Sequence, residues 1–135
     1  MNLIWLGLFS APLILWGRGK ERSKTLSITD AAGLVREALP TETKRLPGLS
    51  LVPGEFKHLG RCVTFDVLWS NPDPGSLHVD FYTVDLQNAV IWSGPLPAEL
   101  VFGPELARMQ RDLRRKLGMP LSISTRAIRA SPCWR

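Results

Sequence analysis

At 135 residues, with 44% hydrophobic and 21% charged side chains, the chain has room for one domain with a real core, and its composition excludes disorder throughout. The net charge of +5 is uneven: Arg18, Lys20, Arg22 and Lys24 face only Glu21, residues 25–103 are acidic on balance, and residues 104–135 carry eight basic side chains against two acidic ones. Basic residues confined to the two ends, rather than forming a patch on the fold with interleaved aromatics, argue against nucleic-acid binding.

From Leu3 to Trp16 every residue is apolar or small. A helix of that composition has no polar face, and its length of roughly 21 Å falls short of the ~30 Å hydrocarbon core of a bilayer. The length suits an export signal, but no cation precedes the run and no A-x-A-like site follows it. The cations after it place the flank in the cytoplasm by the positive-inside rule. Residues 1–17 are therefore expected to act as a membrane anchor or export signal, with residues 18–26 as a basic linker. Trp5, Trp16, Arg18 and Lys20 would sit at the membrane interface. The expected location is membrane-associated with a cytoplasmic domain, the alternative being export to the periplasm or cell exterior.

Ser27 followed by Asp30 is a capping-box pattern, and Ala31, Leu34, Val35, Ala38 and Leu39 recur with helical period until Pro40 stops the run. Residues 40–48 read as a connector. Leu49 to Val52 is a short strand ended by Pro53-Gly54. Val63, Phe65, Val67 and Trp69 alternate with Thr64, Asp66 and Leu68, which predicts a half-buried strand. After a loop at 70–76, Leu77, Val79 and Phe81 should share one face of the next strand and His78, Asp80 and Tyr82 the other. Asp85 to Asn88 makes a tight turn, with Asn88 suited to left-handed backbone geometry, and Ala89 to Ser93 returns as a third strand. The last helix runs from about Pro104 to Leu117, capped by Gly118. Residues 119–135 show no period and are expected to be a flexible basic tail.

The expected fold class is α+β: an N-terminal helix, an antiparallel meander of three to four strands and a C-terminal helix. Together with the run from Phe81 to Trp92 and the last helix (Leu106, Met109, Gln110, Leu113, Leu117, Gly118), this order over residues 27–118 resembles the small cystatin-like and PepSY-like domains of bacterial membrane-bound and exported proteins. In that group a strand ending in Val-Asp turns through Thr-Gly; here the turn is Gln87-Asn88. The resemblance implies a non-catalytic role and no substrate. The Gln-x-Val-x-Gly loop of protease-inhibiting cystatins is missing, so that form of inhibition is not implied.

No catalytic motif, phosphate loop or metal-ligand spacing is present, and no cofactor is expected. Cys62 reads as a small buried hydrophobe, with a bridge to Cys133 left open. His78 is expected to pair with Asp80, and Asp66 could face Asp80 as a carboxylate pair. Tyr82, Trp92 and Trp69 could form an aromatic docking patch on the sheet, the alternative being core packing. These features describe a membrane-associated, non-catalytic protein that recognises a protein partner through its sheet face. A small envelope enzyme or ligand pocket built on Asp66, His78 and Asp80 is the alternative, and a toxin-neutralising immunity protein is a further one.

Overall fold

The computed structural model describes residues 25–70, 76–95 and 97–135. Ser27 accepts a hydrogen bond from the Asp30 N–H at 3.0 Å and so caps helix α1, Ile28–Ala38. Leu39 then turns extended ahead of Pro40. The expected connector contains a single helical turn, α2 (Thr41–Lys44). Leu26, expected to end the basic linker, is buried and donates its N–H to the Leu86 carbonyl, so it packs as part of the domain.

Five antiparallel strands follow in sequential order: β1 (Leu49–Lys57), β2 (Cys62–Ser70), β3 (Ser76–Asp85), β4 (Ile91–Ser93) and β5 (Glu99–Leu100). Gly48 leads into β1 with φ +72°, and a Cβ there would stand 3.2 Å from the Ser70 carbonyl, so the tight entry requires glycine. Contrary to expectation, β1 continues through Pro53. The Ser70 N–H donates to Gly48, and the register pairs Leu49 with Trp69 and Pro53 with Phe65. Antiparallel alternation therefore turns the Pro53 nitrogen outward on an edge strand, where no ladder bond is lost.

Helix α3 (Pro104–Leu117) ends at Gly118 in left-handed geometry, as its sequence predicts. Helices α1 and α3 cover one sheet face and enclose Leu34, Val35, Val63, Phe65, Val67, Tyr82, Val84 and Ile91. At about 1.5–3 kcal/mol for each large apolar side chain, this burial is the main stabilising contribution.

The segment expected to be a flexible tail instead carries helix α4 (Thr125–Ala130) and a 3-10 turn at Pro132–Trp134. The serines before both supply N-caps, Ser124 to Ala127 and Ser131 to Cys133. This segment packs over the opposite sheet face on a second cluster of Cys62, Val90, Trp92 and Cys133, with Ile128 and Trp134 against it. The Cys62–Cys133 disulfide fastens it there. The α+β class stands, with five strands among the described residues rather than the three to four expected.

Residues 3–16, and with them Trp5, Trp16, Arg18 and Lys20, lie outside the described residues. The expected membrane association is corrected: among the described residues no helix is long and apolar enough to cross a membrane.

Candidate functional site

The residues chosen from the sequence as an aromatic docking patch do not form one. Tyr82 is 3% exposed and packs in the core beneath the helices. Trp92 is 6% exposed, its ring centroid 6.2 Å from that of Trp134 under the C-terminal segment. Trp69 is half-buried and lies opposite Leu49, at the other end of the sheet from Trp92's partner Thr83. The indole nitrogens of Trp69 and Trp92 are both buried without an acceptor, so neither is offered to a partner.

A bulge explains the misplaced faces. The pairing of β2 with β3 slips between Val67 and Leu68, so Val67 opposes Asp80 while Leu68 opposes His78. The extra residue, Val79, reverses the alternation beyond it. Tyr82 thereby points to the core, and Asp80 shares its side of the sheet. His78 lies on the opposite face and pairs with Asp66 at 3.3 Å, not with Asp80. The expected Asp66–Asp80 carboxylate pair does not form, and Asp66, His78 and Asp80 do not converge on a cleft.

The Asp80 carboxylate accepts a hydrogen bond from the Phe81 N–H at 2.7 Å and lies near enough to the Tyr82 phenol to act on it. Burial, and then the charge of Asp80, push the phenol up to about 12. In the unfolded chain a tyrosine ionises near pH 10. Between pH 10 and 12 the unfolded state therefore holds fewer protons, and stability falls as pH rises through that window. Tyr82 is the chain's single tyrosine, so phenolate absorbance reports it alone. The folded protein should show a midpoint about two units above that of the denatured chain; coincident midpoints would contradict this geometry.

The densest polar arrangement went unseen in the sequence. Asp85 is fully buried, and Arg61 grips both of its oxygens, with Nε at 3.0 Å from each and Nη2 at 2.8 Å from Oδ2. Ser131 donates its hydroxyl at 2.7 Å and the Gln87 N–H adds a bond at 2.9 Å. The turn beyond is held by α3, where Gln110 donates to the Ala89 carbonyl and Arg114 to that of Asn88. Ala89, not Asn88, takes the positive φ. These groups are satisfied by one another, which makes the network a fastener joining the β2 entry, the β3–β4 turn and the C-terminus. Among the described residues no group of acidic, histidine or cysteine side chains could hold a metal ion.

What the surface does offer is an open groove of about 720 Å³ where α1, α2 and β1 meet. Leu46, Leu49, Leu51 and Met109 line it with apolar surface, and Arg36, Glu37 and Lys44 supply charge. Lys44 and Glu37 pair at 3.1 Å. Arg36 is exposed and has no carboxylate partner among the described residues. Sequence reading missed this groove because α2 and the length of β1 were both unforeseen.

No family model matches the chain, and no curated protein does. Among solved structures, a chain in a type VI secretion system effector-immunity complex from Pseudomonas protegens is similar, with a TM-score of 0.57 and 20% identity over 73% of this chain and 83% of that one. That likeness does not bear on cystatin-like or PepSY-like kinship, and it lends no support to membrane attachment. What the two chains share, at this identity, is a fold.

Proposed function

We propose that this protein is a non-catalytic, toxin-neutralising immunity protein that acts by binding its effector. The observation that carries the reading is the shared fold with a chain of an effector-immunity complex, which extends over most of both chains. Two structural features support it. The buried polar network is internally satisfied, as a fastener is and a reactive centre is not. The exposed groove combines apolar lining with a cation that has no carboxylate partner among the described residues, a chemistry suited to a protein partner.

The test is co-production with the product of the adjacent reading frame. Cells making that product alone should stop growing. Cells making both should grow, and the two proteins should copurify in a fixed ratio. Growth arrest that this chain does not relieve would overturn the reading.

A further inference from the structure

We infer that the open end of β1 receives an extended segment of the protein partner, which adds to the sheet as a sixth strand, sets apolar side chains in the groove and places a carboxylate against Arg36. The inference rests on the partner-binding reading and deepens it. Its basis is the backbone. Because the Ser70 N–H donates to Gly48, the alternation of an antiparallel pair turns the N–H and C=O groups of Leu49 and Leu51 away from β2. The side chains of these same two residues line the groove. Main-chain hydrogen-bonding groups turned away from β2, with no partner among the described residues, and an apolar trough are thus in register on one short stretch, the combination that strand addition uses for affinity and specificity.

The rest of the edge is guarded. Pro53 has no N–H to offer, the pairing with β2 slips between Pro53 and Phe56, and Lys57 closes the strand. Pro, bulges and Lys are the devices that protect sheet edges, and here they begin only after Val52. The opening is therefore confined to Leu49–Val52. Charge selects the occupant. Glu37 is engaged by Lys44, which leaves Arg36 as the cation of the groove without a carboxylate among the described residues. A second copy of this chain would bring another Arg36 to the same place, whereas a segment carrying Asp or Glu beside alternating apolar residues complements it.

The experiment selects peptides from a random phage-displayed library on the full chain and on two variants. Leu51→Pro removes the outward N–H without touching the ladder to β2. Arg36→Glu changes an exposed side chain and leaves the fold intact, so it keeps the test sound if Leu51→Pro misfolds. Enriched peptides should alternate apolar residues with a carboxylate, bind Arg36→Glu at least about tenfold more weakly, and slow amide exchange at Leu49 and Leu51. Peptides lacking that pattern, or binding the variants equally well, would overturn the inference, as would self-association through the same edge. Immunity is scored separately. Wild-type protection that survives in both variants would sink the edge and leave the immunity reading standing. Failed wild-type protection beside successful edge selection would do the reverse.

Discussion

Asp85→Ala should destabilise the domain by about 3 kcal/mol, the low end of the range for leaving a buried ion pair half-made. The low end applies because the Arg61 side chain remains 27% exposed and recovers some hydration. A loss of that size is a large share of the roughly 5–15 kcal/mol that a small domain has in total. The cause is geometric: one carboxylate satisfies the Arg61 guanidinium, the Ser131 hydroxyl and the Gln87 N–H, and alanine leaves all three without their acceptor. Ser131→Ala removes one donor and should cost about 1–2 kcal/mol. Urea unfolding at neutral pH measures both. A loss below about 1 kcal/mol for Asp85→Ala would show that the network is dispensable.

Removing the disulfide is the second large effect. Cys62 and Cys133 are 71 residues apart, and the chain-entropy account of so long a loop gives about 4 kcal/mol of stabilisation. The loss should not fall evenly. The helix-side core contains neither cysteine, while the second cluster consists of Cys62, Val90, Trp92 and Cys133 beneath the C-terminal segment. Reduction, or replacement of both cysteines by serine, should therefore loosen residues 119–135 first and expose Trp92 and Trp134 to water. A red-shifted tryptophan emission that precedes loss of helical circular dichroism is the expected signature. Identical unfolding midpoints with and without reductant would contradict it.

The two prominent helices were legible because each carries its own punctuation: Ser27 and Pro40 around one, Pro104 and Gly118 around the other. Strand β2 was legible because Val63, Phe65 and Val67 alternate and face one core. Period alone could not place the faces of β3, since a single bulged residue, Val79, reverses every side chain after it. That one residue moved Tyr82 from a supposed docking face into the core and separated Asp80 from His78.

Pro53 misled for a related reason: a proline ends a strand only where its missing N–H would have been used. The C-terminal segment has helices too short to show a period, and it holds its place through partners distant in sequence, Cys62 and Asp85. The Ser124 and Ser131 caps were the local signals available. The groove depended on α2 and the true extent of β1, so no pattern within one element could reveal it.

The most direct measurement is the activity of the purified effector titrated with this purified chain. A binding immunity protein should abolish that activity at a fixed molar ratio and restore it when the complex is separated by denaturant and the effector refolded alone. Loss of activity at amounts far below the effector's, persisting after separation, would mean that this chain turns over, and the non-catalytic reading would fail.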